Sequence, residues 1–416
     1  MSPFQTLNLP NGQTVSNRIA KAAMEENLAD ATQAPDHALF RLYQAWAEGE
    51  AGLLLTGNVM IDRRAMTGPA GVVLEDECEL ERFREWARIG RSGGAHFWMQ
   101  LNHPGRQTMA SLGQPALAPS AVALDLGSFS KMFAEPIPMS EADIEEVIQR
   151  FATSAALAEK AGFSGVQIHA AHGYLLSQFL SPLTNLRTDQ WGGTLENRAR
   201  LLLKVIDAVR QAVSPGFCVA VKLNSADFQR GGFDVDDARQ VIEWLNDKSI
   251  DLLELSGGSY EAPAMQGEAR DGRTLAREAY FLDMAGELAR VARMPVMVTG
   301  GIRRLAVVEQ VLDSGIAMAG IGTALAVEPQ LVKRWREGQD SHPQLPPIRW
   351  KRKPLAALAN MAVVKFQIRR LSRGRKPKPQ VAAWLALVLD QVYLARRTRQ
   401  YRSAMGGVTG SPHQPL

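Results

Sequence analysis

Cysteine is scarce in this chain of 416 residues, which contains only Cys78 and Cys218. Two thiols cannot build a disulfide framework. They also cannot supply the four thiolates of an iron–sulfur cluster or of a Cys-rich zinc site. The sequence therefore excludes those sites and gives no sign of an oxidising compartment.

Long apolar runs are also missing. No run reaches the roughly 18 residues that a membrane-spanning helix needs. The best candidate, VAAWLALVL from Val381, is about half that length. The N-terminal stretch MSPFQTLNLPNGQTVSNRIAKAAM lacks the basic start and apolar core of a secretory signal. We therefore expect a cytoplasmic protein.

Acidic residues are almost absent from the C-terminal part of the chain. Residues 341–416 hold 15 Lys and Arg but a single acid, Asp390, which gives a net charge of +14. Residues 1–340 hold the other 32 basic and 42 acidic residues, a net charge of −10, and together the two parts give the +4 of the whole chain. This asymmetry predicts two regions, a main domain over 1–340 and a basic extension over 341–416.

Eight short apolar runs alternate with longer amphipathic segments in the main domain. Short apolar runs suit strands that are covered on both faces, as in a parallel sheet. The runs are RIAKAA from Arg18, GLLLTG from Gly52, HFWMQL from His96, GVQIHA from Gly165, CVAVKL from Cys218, LLELSG from Leu252, PVMVTG from Pro295 and AMAGIG from Ala317.

Helix-like segments lie between these runs. The clearest begins at Ser140, which forms a capping-box-like start with Asp143, and Gly162 fits its end. A second, ENRARLLLKVIDAVRQAV, is closed by Pro215. Further helices are predicted to start near Asp36, Glu77, Val235, Arg277, Arg303 and Glu328.

Eight strands that are each followed by a helix predict a (β/α)8 barrel, the TIM barrel fold. A doubly wound open sheet is the rival fold. The barrel is favoured because the strand count closes at eight and because no Gly-rich dinucleotide fingerprint follows the first strand.

Two strand-to-helix connections, 102–139 and 170–196, are long. Loops of this length without structure of their own are usually functional, and in a barrel they lie on the active-site face. The opening LNLPNGQTV predicts a hairpin with a two-residue turn at Asn11-Gly12. We expect this hairpin to cap the other end of the barrel.

The extension contains a Pro-rich basic connector and two helix-like stretches, LAALANMAVVKFQIRRL and QVAAWLALVLDQVYLARRTRQY. Each stretch has enough apolar residues to need a partner surface. They could dock on the barrel or across a dimer in a homo-oligomer. A peripheral contact with an anionic membrane is the second interpretation. A basic run alone is a weak indication of nucleic acid, and we expect no such partner.

Three ring side chains stand at the end of the fourth predicted strand: His169, His172 and Tyr174. Strand ends carry the active-site residues of such barrels. The two histidines could bind a metal ion if distant strands supplied carboxylates, or both could be satisfied core or loop groups. Three such rings at one strand end favour a functional site.

Other strand ends carry candidates as well. Gln100 ends the third run, and Lys222 lies within the otherwise apolar fifth run. An unpaired buried cation is costly, so Lys222 needs either an internal ion pair or an anionic ligand. The seventh and eighth runs end in VTGGIRR and GIGTALAVEP. Glycines at these turns allow backbone N–H groups to approach an anion, and these two loops are the usual phosphate site of the fold.

The chain resembles the old yellow enzyme family of FMN-dependent ene reductases, a group that includes the barrel domain of bacterial 2,4-dienoyl-CoA reductases. The resemblance covers roughly residues 1–340 and does not explain the extension. The larger reductases carry an iron–sulfur motif and a dinucleotide domain after the barrel, and neither is found in this sequence. The segments that carry the resemblance are LPNGQTVSNRIAKAAM, MQLNHPGRQ, HAAHGYLLSQFLSPLTNLRTDQWGGTLENRARLLLKVIDAV and VTGGI.

This resemblance implies an FMN-binding barrel that uses NADH or NADPH to reduce activated C=C bonds of small molecules. His169 and His172 match the pair that hydrogen-bonds the carbonyl or nitro oxygen of the substrate, and Tyr174 matches the proton donor. Lys222 matches the cation near flavin N1 and O2. The residues implied to hold FMN are Ala23, Met24, Gly57, Gln100, Lys222, Gly300, Gly301, Gly322 and Thr323.

Three positions depart from the family pattern. Glu25 stands where Thr or Cys is usual, and an ionised carboxylate near flavin O4 would disfavour reduction unless it points away. Thr323 stands where an arginine usually meets the phosphate, and Arg303 or Arg304 could replace that charge. Lys222 stands where arginine is common, which keeps the charge but loses the bidentate fork.

Three alternatives to ene reduction are left open. A related flavin barrel could demethylate or dehydrogenate its substrate. A metal-dependent lyase or hydrolase could use His169 and His172 as ligands. A non-catalytic barrel could serve as a binding protein that its basic extension tethers to a membrane.

Overall fold

The protein is described here by a computed structural model, which covers residues 1–262 and 282–408. Its strands, in chain order, are β1 (Leu7–Asn8), β2 (Thr14–Val15), β3 (Ile19–Lys21), β4 (Leu53–Met60), β5 (Val72–Val73), β6 (His96–Asn102), β7 (Ala116–Ala118), β8 (Pro136–Pro138), β9 (Gly165–Ala170), β10 (Cys218–Asn224), β11 (Leu252–Ser256), β12 (Val296–Thr299) and β13 (Met318–Ile321).

Eight of these strands form a closed parallel ring. The order is β3, β4, β6, β9, β10, β11, β12 and β13, and β13 pairs with β3 to close it. Each ring strand overlaps one of the eight predicted apolar runs. The predicted (β/α)8 barrel is therefore confirmed.

Helices surround the ring. In the described residues they are α1 (His37–Ala47), α2 (Leu80–Gly90), α3 (Glu141–Lys160), α4 (Leu175–Leu180), α5 (Leu195–Ala212), α6 (Val235–Leu245), α7 (Leu282–Ala289), α8 (Leu305–Asp313), α9 (Thr323–Val327), α10 (Leu331–Arg336), α11 (Lys353–Leu371) and α12 (Ala383–Val408). The predicted capping box of α3 is present, since Asp143 N–H donates to Ser140 Oγ and Ser140 N–H donates to Asp143 Oδ2. The helix start predicted near Arg277 lies outside the described residues.

The barrel interior is layered. Because strand side chains alternate between faces, Trp98 and Gln100 point to the same side of β6, as Ala220 and Lys222 do on β10. The lower residue of each pair belongs to an apolar layer. The upper residue belongs to a buried polar layer nearer the carboxyl ends of the strands. The polar layer of the barrel interior therefore lies toward the carboxyl ends of the strands.

The predicted hairpin closes the opposite end. β1 and β2 pair antiparallel, and Leu7, Leu9 and Val15 pack onto the apolar layer. The predicted two-residue turn is wrong. Five residues, 9–13, lie between the paired strands. Within them Gly12 N–H donates to Leu9 O at 3.0 Å and Leu9 N–H donates to Gln13 O at 2.8 Å, and Gly12 turns the chain with φ +85°.

The two long connections are more ordered than predicted. The segment 102–139 contains three short 3₁₀ turns and the paired strands β7 and β8, and 170–196 contains α4. Many residues of these two segments are buried, and buried backbone N–H and C=O groups need hydrogen-bond partners. Local structure supplies those partners, so the description of these segments as plain loops is wrong.

One buried side chain in the first of these segments is expected to make the stability of the fold depend on pH. Burial lowers the pKa of His103 to about 4 from its ordinary 6.5, so the folded imidazole is neutral. Below pH 6.5 the unfolded chain binds a proton that the folded chain does not bind. The stability that depends on neutral His103 is therefore complete above pH 6.5, falls as the pH drops and levels off near pH 4.

When the pH falls from 7.5 to 5, we expect the contribution of His103 to lower the unfolding free energy by about 2 kcal/mol. Urea denaturation at the two pH values measures this loss. In the parent, His103 Nδ1 accepts the Gly105 N–H at 3.1 Å. The variant His103→Asn offers a side-chain oxygen as the acceptor in its place. This variant should lose about 2 kcal/mol less over the same pH range. The same pH dependence in variant and parent would show that another group is responsible.

The two predicted helices of the extension are present as α11 and α12. They pack against each other, and α11 contacts α1 and α9. No helix among the described residues is long and apolar enough to cross a membrane.

α12 lies on loops at the carboxyl end of the barrel. Tyr393 OH donates to Asn27 O at 2.7 Å, and Tyr401 OH donates to Arg63 O at 2.8 Å. Docking on the barrel is thus observed. A membrane contact, a dimer contact and the division of the chain at residue 340 stay predictions.

Candidate active site

The three predicted catalytic rings meet at the carboxyl end of β9. The ring centroids of His169 and His172 are 5.0 Å apart, and those of His169 and Tyr174 are 4.8 Å apart. His172 adopts a left-handed conformation with φ +62°, which is uncommon for a residue other than glycine. Asn224 Oδ1 accepts its N–H at 3.1 Å and Gln107 Nε2 donates to its carbonyl at 2.9 Å, so side chains of other loops stabilise this turn.

Hydrogen bonds orient both imidazoles. His169 Nδ1 accepts the Ala171 N–H at 3.2 Å, which leaves the proton of the neutral ring on Nε2. His172 Nε2 lies 2.7 Å from Ser256 Oγ. Burial, and then the charge of Lys222, hold the pKa of each imidazole well below its usual range. Both rings are therefore neutral at pH 7, and each carries one N–H donor.

A second tyrosine stands beside Tyr174. The hydroxyls of Tyr174 and Tyr260 are 3.0 Å apart, and Asn58 Nδ2 lies 3.4 Å from the Tyr174 hydroxyl. Burial, followed by the nearby Tyr260 and Glu25, raises the pKa of Tyr174 well above its usual value. Tyr174 is therefore a protonated group at neutral pH. The sequence reasoning missed Tyr260, although LSGGSY places it just after a predicted strand.

A chain of hydrogen bonds runs through the polar layer. Gln100 Nε2 donates to Gln167 Oε1 at 2.7 Å, and Gln167 Nε2 donates to Glu254 Oε2 at 2.8 Å. Thr299 Oγ1 donates to Glu254 Oε1 at 2.8 Å, and Lys222 Nζ is 2.9 Å from the same oxygen. Lys222 thus forms an internal ion pair with Glu254, one of the two partners predicted for a buried cation. Whether it also faces an anionic ligand stays a prediction.

A buried network that the sequence reasoning missed supports the loop after β3. Glu26 accepts the Gly57 N–H at 2.9 Å and the Tyr43 hydroxyl proton. A Cβ added to Gly57 would lie 2.1 Å from Glu26 Oε2, so only glycine fits there. Lys21 lies in the same network, and burial lowers its pKa to about 8. Burial raises the pKa of Glu26.

Glu25 is anchored beside the tyrosines. Thr67 Oγ1 donates to Glu25 Oε1 at 2.5 Å, and Asn27 Nδ2 donates to the same oxygen at 2.9 Å. The charge of Glu25 contributes to the raised pKa of both Tyr174 and Tyr260. The carboxylate is therefore within electrostatic reach of the ring cluster. Its effect on the flavin redox potential stays a prediction.

The predicted phosphate loops lie side by side, because β12 and β13 are neighbours in the ring. Gly300 is buried, and Gly301 turns the chain with φ +66°. Gly322 directly precedes α9, and Thr323 is the exposed first residue of that helix. The replacement of the missing arginine by Arg303 or Arg304 stays a prediction.

There is room between the residues that follow the first barrel strand and Gly322, which follows the eighth barrel strand. Ala23 and Met24 are half-buried where β3 ends. A Cβ added to Gly322 would meet nothing nearer than the Met24 side chain, at 3.9 Å. The structure thus brings the predicted first-strand and eighth-strand residues to one place.

These residues fit a flavin. Asn58 Oδ1, Gln107 Oε1 and both amide atoms of Asn102 are buried without a hydrogen-bond partner in the described part of the chain. A flavin ring has several nitrogen and oxygen atoms that can pair with such groups, and its phosphate suits the glycine loops. Within residues 1–262 and 282–408, no three His, Cys, Asp or Glu side chains are grouped to hold a metal ion.

Comparisons with known proteins identify the family. The model of the NADH:flavin oxidoreductase / NADH oxidase family matches residues 3–342. An NADH-dependent flavin oxidoreductase of Hypocrea jecorina is 35% identical over 349 residues, which cover 79% of this chain and 87% of the relative. One from Neonectria sp. is 39% identical over 352 residues. That match covers 79% of this chain but 46% of the relative, so the chain spans less than half of that protein.

The fold has close counterparts among solved structures. An old yellow enzyme homologue from Zymomonas mobilis superposes with a TM-score of 0.71 at 25% identity, over 84% of this chain and 95% of that one. Together with the family match, this confirms the resemblance inferred from the sequence. The chain belongs to the NADH:flavin oxidoreductase / NADH oxidase family, the FMN-dependent family of the old yellow enzymes.

Proposed function

We propose that this chain reduces activated C=C bonds, such as those of enones, enals or dienoyl-type substrates, with FMN as cofactor and NADH or NADPH as electron donor. The observation that supports the proposal most is the cluster of His169, His172 and Tyr174. It combines two neutral N–H donors with one protonated hydroxyl at a single strand end.

FMN, when bound, would supply the hydride chemistry that links NADH or NADPH to the β-carbon of the alkene. Negative charge then develops on the carbonyl oxygen of the substrate. We assign His169 and His172 as the donors that stabilise this oxygen, since fixed donors aimed at developing charge lower the barrier. Neutral imidazoles suit this task because their N–H groups donate without a competing loss of the proton.

We assign Tyr174 as the acid that protonates the α-carbon. Its raised pKa keeps the proton on the hydroxyl until the substrate carbon becomes basic. Tyr260, whose hydroxyl is 3.0 Å away, would orient this group and is a positioning residue. Neither residue needs to ionise before the substrate reacts.

The residues that would hold FMN follow the strand ends around the barrel. Gln100 and Lys222 would face the ring from the polar layer, and Ala23, Met24 and Gly57 would border it near the first two strands. The phosphate would lie at the loops after β12 and β13, which contain Gly300, Gly301, Gly322 and Thr323. Lys222 would place positive charge where the reduced ring becomes negative.

An anaerobic stopped-flow titration tests the proposal. The purified protein is expected to bind FMN, to be reduced by NADH or NADPH, and to be reoxidised by members of an enone and enal panel. Failure to take up FMN, or a reduced flavin that no alkene reoxidises, would contradict it. Reduction of the flavin by a substrate without NAD(P)H would instead indicate a dehydrogenase or demethylase.

A further inference from the structure

One face of α12 is apolar and open to solvent. Trp384 and Val392 are 62% and 63% exposed. With 3.6 residues per turn, the exposed apolar residues fall within a sector about 140° wide. They are Trp384, Leu385, Val388, Leu389 and Val392, and we call them the apolar stripe.

The rest of the helix explains why this face is free. Tyr393, Arg397 and Tyr401 lie on the opposite side and donate hydrogen bonds to backbone carbonyls of the barrel loops. Asp390, on that same side, is buried against Arg369. The helix is thus held firmly by one face, and the stripe is directed away from the barrel.

Exposed cations flank the stripe at both ends. The sector of the stripe continues toward the C-terminus with the exposed Arg396, Arg399 and Arg402. The segment between α11 and α12 adds Arg373, Arg375, Lys376 and Lys378, all exposed. In the described residues none of these seven forms an ion pair, and the one acid of residues 341–416 is the buried Asp390.

We propose that this face of α12, with the segment that precedes it, docks on an anionic lipid bilayer. The stripe would enter the headgroup region while the flanking cations meet the lipid phosphates, as basic amphipathic helices do. The charge distribution favours such a surface. The extension carries +14 and residues 1–340 carry −10, so an anionic surface attracts the extension and repels the body.

A second copy of the chain is a poorer occupant of the same face. Two stripes packed together would place the flanking cations of both copies side by side, and no exposed acid of the extension is available to pair with them. Like charges across an interface oppose association. A bilayer with anionic headgroups covers the stripe and neutralises the cations at the same time.

Vesicle sedimentation with the full-length, FMN-loaded protein tests the proposal. We expect binding to phosphatidylcholine vesicles that contain phosphatidylglycerol and little binding to phosphatidylcholine alone. Val388→Glu/Val392→Glu should lower the partition coefficient at least tenfold. Lys376→Gln/Lys378→Gln should lower it about fivefold for each cation removed. The latter pair alters no packed side chain and serves if the former does not fold.

Leu186→Glu is the matched control, since Leu186 is an apolar residue of the barrel that is 63% exposed. It should bind vesicles like the parent. Equal binding to both kinds of vesicle, or full binding by both double variants, would overturn the proposal. So would a dimer that disappears in Val388→Glu/Val392→Glu while vesicle binding is absent, or binding to DNA or RNA in place of vesicles. Vesicle binding does not depend on turnover, so this test is independent of the proposed reaction.

Discussion

Replacing Tyr174 with phenylalanine is expected to slow alkene reduction by about 10²–10⁴-fold, the usual contribution of a positioned general acid. The Tyr174 hydroxyl is the protonated group of the cluster, and its raised pKa excludes an earlier role as an anion. In the proposed mechanism, reduction of the flavin by NAD(P)H takes no proton from this group and should change little. Anaerobic stopped-flow measurement of the two half-reactions separates these effects.

The neighbouring tyrosine provides the control. Tyr260→Phe keeps the ring but removes the hydroxyl that lies 3.0 Å from that of Tyr174. Because Tyr260 is proposed to act through Tyr174, this variant should slow alkene reduction as well, but by a smaller factor. Equal slowing of both half-reactions in Tyr174→Phe would remove it from the donor role. A larger effect in Tyr260→Phe would make Tyr260 the donor.

The barrel could be predicted because each of its strands has a local sequence signal. Runs such as CVAVKL are apolar enough to be buried on both faces, and each stands between amphipathic segments. The position of His169 and Tyr174 at a strand end then follows from the fold, because all strand ends of a parallel ring share one face. Fold and main candidate site were therefore both accessible from the sequence.

The contacts of the residues that surround the site could not be predicted from the sequence in this way. Glu25 and Glu26 are adjacent acids with the same local signal, yet one lies near the tyrosines and the other bonds the Gly57 N–H. Lys21 is buried against the Trp46 ring, 4.3 Å from its centroid, although its run reads as an ordinary strand. Such contacts depend on how segments that are distant in sequence pack together. The periodicity of apolar residues in the sequence does not predict this packing.

The extension shows the same limit. Its helices were predictable because they contain apolar residues that need a partner. Which surface they would cover was not, since the contacts of Tyr393 and Tyr401 are to backbone carbonyls of the barrel loops. A carbonyl acceptor is present at every residue, so the sequence holds no signal for it.

Replacing Lys222 with methionine is expected to destabilise the protein by about 3–5 kcal/mol. The Glu254 carboxylate is 0% exposed and lies 2.9 Å from Lys222 Nζ. The variant would leave this carboxylate buried with two neutral donors, the amide of Gln167 and the hydroxyl of Thr299. Urea denaturation measures the loss in unfolding free energy, and FMN binding should weaken as well.

The double variant Lys222→Met/Glu254→Gln separates the ion pair of Lys222 with Glu254 from the proposed role of Lys222 at the flavin. Neutralising both members of the pair removes the buried uncompensated charge, so most of the stability should return. If Lys222 faces the flavin ring as proposed, FMN binding, and above all the stability of the reduced cofactor, should stay impaired because the cation is missing. If the double variant bound FMN like the parent, Lys222 would be only a partner of Glu254. If Lys222→Met were as stable as the parent, the ion pair would not contribute to the fold.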